Sequence, residues 1–393
     1  MTDRVVVLGG GTGGTVLANK LADKLDAEID AGDVEVTLID ETGVHVYKPV
    51  WLYVAFGQAD PADGRRPLDD LLDRRVRLRT GRVTDIDTGA KQLTFDGSEG
   101  AERRSSGSRT QSDSTLDYDY LTVATGARLV PDRVPGLDEA AHDFYSEDGA
   151  EELRDALAAF DGGRLVLSVA GMPHMCPAAP VEFTLMVEDW LRERGIDAEV
   201  VYTAPTERSH KLPPVADWAD ERFTARGVES HTGFDVERVV PGDRTLQATD
   251  GRELDYDLLV TIPPHAGVDL VADAGLGDEG WVETDPHTLS ATRADEVYAI
   301  GDTTDIERPM AGSVAHYQAG VVADRITAQV RGHTPTALYD GKVLCFLEAG
   351  MDEATYVSFD YDSLPVLRDE SKLVHWAKKG YNEAYWLTAR GLI

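Results

Sequence analysis

Hydrophobic and polar positions in the first forty residues follow the pattern of a strand, a helix and a second strand. Residues 4–8 form a short apolar run, and residues 15–25 form a helical stretch. A second apolar run covers residues 34–39, and the polar residues 26–33 before it predict an extended loop. This order predicts a parallel βαβ unit, and therefore an α/β fold.

The turn between the first strand and the helix is built from glycine. Residues 9–14 read Gly-Gly-Gly-Thr-Gly-Gly, which satisfies G-x-G-x-x-G. Such a turn uses backbone angles closed to larger side chains, and a pyrophosphate must approach bare amides at the helix N-terminus. An acid at the end of the second strand is the residue type that binds ribose hydroxyls. The predicted dinucleotide site comprises Gly9, Gly11, Thr12, Gly13, Gly14 and Asp40. The alternative is a glycine-rich turn in an unrelated βαβ unit.

Two later segments resemble the FAD domains of disulfide-reductase-like flavoproteins. Residues 116–126 read as one strand that ends in Ala-Thr-Gly, and residues 297–302 read Val-Tyr-Ala-Ile-Gly-Asp. In those flavoproteins the Asp binds the ribityl chain and the Gly lets the backbone pass the flavin phosphate. The resemblance implies FAD as the cofactor, and it adds Val83, Ala124, Thr125, Gly126, Gly301, Asp302 and Ala311 to the predicted binding residues.

The middle of the chain repeats the strand-turn-helix pattern without the glycines. An apolar run at residues 163–171 precedes a predicted helix at 181–194, and residues 254–265 echo the 117–125 strand. The turn at 172–180 holds three prolines and Cys176. Prolines remove amide donors, and the side chains fill the space of a pyrophosphate, so we expect no tight NAD(P)H site.

The predicted organisation is two Rossmann-like domains followed by a C-terminal helical segment that docks on a membrane. The FAD-binding domain is assigned residues 1–134 and 286–335, the second domain 135–285, and the C-terminal segment 336–393. Residues 98–114, rich in Ser, Gly and Arg, are predicted to be a hairpin insertion.

Nearly the whole chain resembles the sulfide:quinone oxidoreductase family, in a version typical of salt-loving archaea. The matching features are a Cys-Pro turn followed by Glu182, the Thr-Ile-Pro-Pro-His strand end at 261–265, residues 316–319, the segment 344–350 and an aromatic C-terminal helix. The resemblance implies that Cys176 and Cys345 lie on one side of the flavin and hold sulfur between them. It also implies a quinone acceptor, with Lys378 near the quinone head group.

Two departures from that family concern the sulfur donor. Many members carry a third cysteine, which this chain lacks, and Met310 stands where a lysine is expected. A thiol persulfide, a polysulfide or another small sulfur nucleophile therefore stays open as the donor beside sulfide.

The two cysteines suit sulfur redox chemistry. A donor such as HS⁻ attacks a disulfide or a bridging polysulfide and leaves a persulfide on one cysteine and a thiolate on the other. Cys176 is expected to be the flavin-proximal nucleophile, with a thiol pKa lowered by the positive end of the helix that follows. Glu182 is expected to relay the released proton. The alternative for the two cysteines is that each is a small buried hydrophobic residue, and the alternative for Glu182 is a solvated helix carboxylate.

The predicted C-terminal helix is amphipathic, aromatic and locally basic. Leu373, Trp376, Ala377, Gly380, Ala384 and Leu387 fall on one face, and Lys372, Lys378, Lys379 and Arg390 oppose only Glu383. Such a helix suits an anionic membrane surface. Packing on the FAD domain or on the partner of a homodimer is the alternative.

The composition is strongly acidic. The chain has 71 Asp and Glu against 38 Lys and Arg, a formal net charge of −33. Such a surface repels nucleic acid and resembles halophilic proteins, so we expect stability that rises with salt, because at ~1 M the Debye length is only ~3 Å. No apolar stretch approaches ~20 residues and no signal peptide is evident, which predicts a cytoplasmic protein held peripherally on the inner face of the membrane. The ten histidines show no metal-ligand spacing. His174 and His265 could face the sulfur pocket, and ordinary surface or core roles are the alternative.

Three functions remain open from the sequence. The first is FAD-dependent oxidation of sulfide, or of a related sulfur nucleophile, with a quinone as acceptor. The second is a type II NADH dehydrogenase-like activity, which the proline-filled turn opposes. The third is a non-catalytic flavin-bearing carrier or sensor of persulfide.

Overall fold

A computed structural model describes residues 2–96 and 113–392. The hairpin insertion predicted at 98–114 falls almost entirely outside these residues. The strands, in chain order, are β1 Asp3–Leu8, β2 Val34–Asp40, β3 Val44–Val46, β4 Arg65–Pro67, β5 Val76–Thr80, β6 Arg82–Asp87, β7 Gln92–Asp96, β8 Asp113–Asp117, β9 Tyr120–Val123, β10 Arg128–Leu129, β11 Gly163–Val169, β12 Ala198–Ala204, β13 Glu229–Thr232, β14 Val236–Val240, β15 Thr245–Ala248, β16 Glu253–Asp255, β17 Leu258–Ile262, β18 His265–Ala266, β19 Val297–Ala299, β20 Val343–Glu348, β21 Ala354–Phe359 and β22 Val366–Leu367. The helices are α1 Thr12–Lys24, α2 Asp26–Asp30, α3 Val50–Ala55, α4 Leu68–Leu71, α5 Leu137–Ala140, α6 Glu147–Ala159, α7 Ala179–Arg194, α8 Pro213–Arg226, α9 Asp269–Asp273, α10 Gly312–Val330 and α11 Lys372–Ala389.

The N-terminal sheet is parallel, in the order β19-β9-β1-β2-β5. The central strand β1 is apolar and buried because helices α1 and α10 and further elements cover the sheet. The strand at 297–299 returns to this sheet beside β9 after the chain has formed a second sheet. The carboxyl ends of β1, β2, β9 and β19 therefore meet at one edge, where ligands bind in open α/β sheets.

Two local predictions in this part are wrong. Residues 116–126 do not form one strand, because the chain breaks after Asp117 and the Asp119 carboxylate accepts hydrogen bonds from the Arg4 amide, at 2.8 Å, and side chain. Strand β8 joins an antiparallel sheet with β6 and β7, and β9 joins the parallel sheet. The polar connection at 26–33 includes the short helix α2, whose first turn carries two acidic residues at its positive end.

The second sheet is also parallel, in the order β13-β12-β11-β17. Helix α7 packs against β11 and β12 and against β20, so most of its residues are buried. It begins two residues before the predicted start, and Pro180 lies in its first turn, where a missing amide costs nothing. The α/β prediction with two Rossmann-like sheets is thus confirmed.

The C-terminal segment forms an antiparallel sheet, β20-β21-β22, and the long helix α11. Helix α11 packs against β21 and α1, and Asn19 Nδ2 donates to the Ala389 carbonyl at 2.9 Å. The predicted C-terminal helix is therefore present, and it lies beside the first glycine turn. Within residues 2–96 and 113–392, no helix combines the length and the apolar character needed to cross a membrane.

Candidate functional site

A cavity of about 590 Å³ lies at the carboxyl edge of the N-terminal sheet. Its lining includes the glycine turn, both cysteines and one face of α11. The predicted site residues that line it are Gly9, Gly11, Thr12, Gly13, Asp40, Ala124, Thr125, Gly126, Cys176, Glu182, Gly301, Asp302, Ala311, Cys345 and Lys378. Residues far apart in the chain thus meet around one space.

Two predicted cofactor-binding residues lie outside the cavity lining. The Val83 side chain is buried in a hydrophobic cluster with Leu8 and Ile39, so the structure places it away from the cavity lining. A Cβ at Gly14 would lie 1.9 Å from the Gly9 carbonyl oxygen. Gly14 therefore acts by letting α1 pack closely on the turn rather than by lining the site.

The glycine turn presents backbone to the cavity. Gly9 has a φ of +107°, and a Cβ there would lie 2.5 Å from the Ala124 carbonyl oxygen, so only glycine fits. The Gly10 amide donates to Asp40 Oδ2 at 2.8 Å, which orients the carboxylate for a ribose. A Cβ built on Gly11 meets no protein atom within 4 Å, although Gly11 lines the cavity. This bare cradle fits the pyrophosphate of a dinucleotide.

Replacing Gly11 by Ala separates ligand binding from folding. The backbone at Gly11 has a φ of −74°, which alanine accepts, so the apoprotein loses less than about 1 kcal/mol of unfolding free energy. The added methyl group would fill space that the glycine turn leaves open for a pyrophosphate, and we expect the affinity for a dinucleotide to fall at least about 100-fold, or about 2.7 kcal/mol. Flavin titration of the apoprotein measures this. Gly14→Ala is the contrasting variant, since it must destabilise the fold itself.

Cys176 has an unusual backbone conformation. Its φ is +46°, the left-handed region that non-glycine residues seldom adopt. Its amide donates to the Met310 carbonyl at 2.7 Å, and its carbonyl accepts from the Ala179 amide at 3.0 Å and from Tyr145 Oη at 3.2 Å. These contacts hold the thiol at the cavity wall against the local backbone preference.

The strain at Cys176 predicts a difference between two thiol-free variants. Glycine accepts a positive φ, whereas alanine keeps the strain, so Cys176→Gly should be more stable than Cys176→Ala by about 1 kcal/mol. Equilibrium unfolding in denaturant at constant high salt measures the difference. Equal midpoints, or a more stable alanine variant, would contradict the strain at this position.

With both cysteines present as free thiols, the expected lowering of the Cys176 pKa is wrong. Burial, and then the charges of Glu182 and Cys345, raise the pKa of Cys176 to about 12. The Ala179 amide at the start of α7 acts in the expected direction, but it is outweighed. Burial and Glu182 likewise raise the pKa of Cys345 to about 12. The site therefore disfavours thiolates next to an ionised Glu182, and thiolate formation there needs compensating positive charge.

A buried charged network adjoins the cysteines. Lys378 Nζ pairs with Glu182 Oε1 and lies 3.7 Å from Glu348 Oε1, and the Glu348 amide donates to Glu182 Oε1 at 2.8 Å. Tyr53 Oη donates to Glu348 Oε1 at 2.6 Å, and His375 Nδ1 lies 2.9 Å from Glu348 Oε2. Glu182 is only 3% exposed, so the alternative of a solvated helix carboxylate is wrong.

Protonation in this network is unequal because two carboxylates share one ammonium. Burial raises the pKa of Glu182, Lys378 opposes the rise and the charge of Glu348 adds to it, so that the pKa is raised overall. Burial would also raise the pKa of Glu348, but Lys378, His375 and Tyr53 together lower it. Burial opposes the charge of Lys378, but Glu182, Tyr53 and Glu348 raise its pKa well above the usual value. Glu182 is thus the group in this network best placed to take up a proton, and Lys378 is charged in the resting site.

Several cavity residues were not predicted from the sequence. Tyr47 stacks on Tyr385 with ring centroids 3.7 Å apart, and the Tyr385 hydroxyl is bonded to Thr12 Oγ1 at 2.7 Å and to His45 Nε2 at 2.8 Å. Lys48 also lines the cavity and donates to Met175 Sδ at 3.2 Å. The His-Val-Tyr-Lys-Pro run soon after Asp40 was the available signal.

The turn at residues 172–180, which lacks the glycines of the first turn, encloses very little space. A gap of about 20 Å³, lined by Met172, His174, Pro177 and neighbouring residues, adjoins it. That is room for about one water molecule. His174 and His265 are buried, with pKa values lowered by burial to about 4 and about 3, and neither lines the large cavity, so they do not face the sulfur pocket. Among the described residues, no group of His, Cys, Asp and Glu has the arrangement of a metal site.

Comparison with known proteins identifies the family. A family model described as pyridine nucleotide-disulphide oxidoreductase matches residues 3–319. The chain belongs to this family. As a member it is an oxidoreductase that uses a flavin cofactor.

Individual relatives of this oxidoreductase agree with the motifs. It is 23% identical over 376 residues to the mitochondrial sulfide:quinone oxidoreductase of Mus musculus, covering 92% of this chain and 79% of the relative. The crystal structure of the sulfide:quinone oxidoreductase of Aquifex aeolicus superimposes with a TM-score of 0.84 at 20% identity, covering 99% and 92% of the two chains. A NADH dehydrogenase-like protein of Mycobacterium tuberculosis is 29% identical over 259 residues, 62% of this chain and 59% of the relative. The resemblance to the sulfide:quinone oxidoreductases is confirmed.

Proposed function

We propose that this oxidoreductase uses FAD to oxidise sulfide, or a related sulfur nucleophile, and passes the electrons to a quinone. The main support is that Cys176 and Cys345 line the same cavity as the glycine turn, Asp302 and Lys378. FAD, when bound in that cavity, supplies two-electron transfer between the sulfur donor and the quinone. The glycine cradle, Asp40 and Asp302 would hold it.

The cysteine pair carries the sulfur. When the pair is oxidised to a disulfide, HS⁻ attacks one of its two sulfur atoms and the S–S bond breaks. The attacked cysteine becomes a persulfide, and the other cysteine leaves as a thiolate. Overall, HS⁻ yields zero-valent sulfur, one proton and two electrons. Glu182 accepts the proton because burial raises its pKa and it lines the cavity together with both cysteines. Once protonated, Glu182 no longer opposes the thiolate charge.

The quinone, as electron acceptor, is proposed to bind on the side of the cavity lined by α11. Lys378 supplies a positive charge for the reduced quinone oxygen, and Phe346 and Tyr381 add aromatic lining. Leu373 is 79% exposed and Trp376 is 66% exposed on the outer face of the same helix. These features support peripheral docking of α11 on a membrane, so that a quinone enters beside it.

NADH is the weaker candidate donor, although relatives at 29% identity are named NADH dehydrogenase-like. The turn at 172–180 contains three prolines and leaves about 20 Å³ beside it. A pyrophosphate needs free amides and open space at that position. Sulfide-class donors need neither.

Anaerobic titration of the flavin absorbance tests the function. In high salt, sulfide should bleach the oxidised flavin and NADH should not, and a soluble quinone should restore the absorbance. Bleaching by NADH without sulfide would replace the proposal with the NADH dehydrogenase function. A flavin that no sulfur donor bleaches, with both cysteines intact, would indicate a carrier or sensor.

A further inference from the structure

A buried chain of titratable side chains continues from the cavity along α11. Its inner members, Glu182 and Lys378, line the cavity, whereas Glu348 and His375 lie beyond the lining. The four side chains come from α7, β20 and two positions on α11. Glu348 is fully buried, and the catalytic scheme above does not use Glu348 or His375.

An ion pair and two hydrogen bonds link the members of this chain. Lys378 Nζ lies 3.7 Å from Glu348 Oε1, and Glu348 Oε2 lies 2.9 Å from His375 Nδ1. Tyr53 Oη donates to Glu348 Oε1 at 2.6 Å and fixes that carboxylate between its two partners. One ion pair and one hydrogen bond thus connect the cavity residue Lys378 to His375.

The hydrogen-bond chemistry gives the chain a direction. Lys378, His375 and Tyr53 lower the pKa of Glu348 against the effect of burial, so its carboxylate accepts and His375 Nδ1 donates. The other ring nitrogen, His375 Nε2, is then the outermost atom of this chain. Asp352, whose carboxylate is 66% exposed, has a pKa lowered first by Lys372 and, to a smaller extent, by the charge of His375. The outer end of the chain thus lies near a solvated carboxylate.

The overall reaction needs a proton from solvent. In the balance HS⁻ + quinone + H⁺ → zero-valent sulfur + quinol, the sulfur donor supplies one of the two protons of the quinol. We propose that His375 and Glu348 form the proton inlet for the second. Lys378 gives a proton to the reduced quinone oxygen, Glu348 returns one to Lys378, and His375 passes one from solvent to Glu348. Only N–H and O–H bonds form and break, and the inference rests on the proposed quinone reaction.

Stopped-flow kinetics of the full-length, FAD-loaded protein separates the two half-reactions. Bleaching by sulfide reports the sulfur side, and return of the flavin absorbance with a short-chain soluble quinone reports the acceptor side. His375→Ala should slow the return about 100-fold and leave bleaching unchanged. Added imidazole should restore much of the lost rate, because a small base can occupy the space and carry the proton.

Two further variants make the result specific. His375→Asn keeps a hydrogen-bond donor at the position of Nδ1 but has no group that can relay a proton. Its flavin reoxidation should therefore be slow and should not be accelerated by imidazole. Glu383→Gln, an exposed position on the same helix, should match the unchanged protein. A wild-type return rate in His375→Asn, or no response of His375→Ala to imidazole, would overturn the inlet. Failure of sulfide to bleach the unchanged protein would instead overturn the proposed function.

Discussion

Serine at either Cys176 or Cys345 abolishes flavin bleaching by sulfide, with an expected loss of at least about 1,000-fold in the bleaching rate. A hydroxyl cannot form the disulfide or hold the persulfide, so neither variant offers HS⁻ a sulfur to attack. Both cysteines line the one cavity, and we expect the two single variants and the double variant to have nearly equal rates because the pair acts as a unit. Anaerobic stopped-flow absorbance measures the three rates.

Flavin content and quinone reactivity serve as the controls for these serine variants. Their bound flavin should be reducible by dithionite and reoxidised by quinone at the unchanged rate, because the acceptor side does not use the thiols. Met310→Leu, an apolar exchange at the cavity wall, should keep both half-reactions. A serine variant that is bleached by sulfide at more than about a tenth of the wild-type rate would contradict the roles given to the cysteine pair.

The N-terminal half of the site follows from local sequence. The glycine turn, Asp40, the Ala-Thr-Gly segment and the Gly-Asp pair lie at the carboxyl ends of parallel strands, and strands of one parallel sheet end at one edge. Their convergence could therefore be predicted without coordinates. That rule does not cover Val83, which lies on β6 of the antiparallel sheet and whose side chain is buried in a hydrophobic cluster.

The environment of the cysteines could not be predicted in the same way. The start of α7 suggested a lowered thiol pKa, which is a local effect of the helix. The opposing effects come first from burial of the thiol, then from Glu182 on the buried face of that helix and from Cys345 on the distant strand β20. The positive φ of Cys176 depends likewise on the Met310 carbonyl, a contact between distant segments.

The partners of Lys378 show how tertiary contacts change the meaning of a residue. In the sequence it is one of several basic residues on an amphipathic helix, and a solvated or membrane-facing role fits that pattern. In the structure it is buried between carboxylates of α7 and β20. Lys379, the next residue, lies instead over the outer Trp376 ring, 5.9 Å from its centroid. One step along the helix separates a buried ammonium from a surface ammonium.

Lys378→Met should destabilise the fold by about 3–5 kcal/mol at pH 8, because it leaves Glu182 and Glu348 buried without their shared cation. Unpaired buried carboxyls have raised pKa values, so their penalty grows as the pH rises above the unfolded value of about 4.3 and vanishes below it. The loss relative to the unchanged protein should therefore be smaller at pH 5 than at pH 8. Denaturant unfolding at constant high salt measures both values.

Neutralising one carboxyl tests the cause of that loss. Glu182→Gln combined with Lys378→Met removes one of the two unpaired charges, and the double variant should be more stable than Lys378→Met alone. Lys379→Met removes a cation of the same type from the outer face, and its effect should stay within about 0.5 kcal/mol. A loss in Lys378→Met that is independent of pH, or matched by Lys379→Met, would mean that packing rather than the uncompensated carboxylates determines the stability at this position.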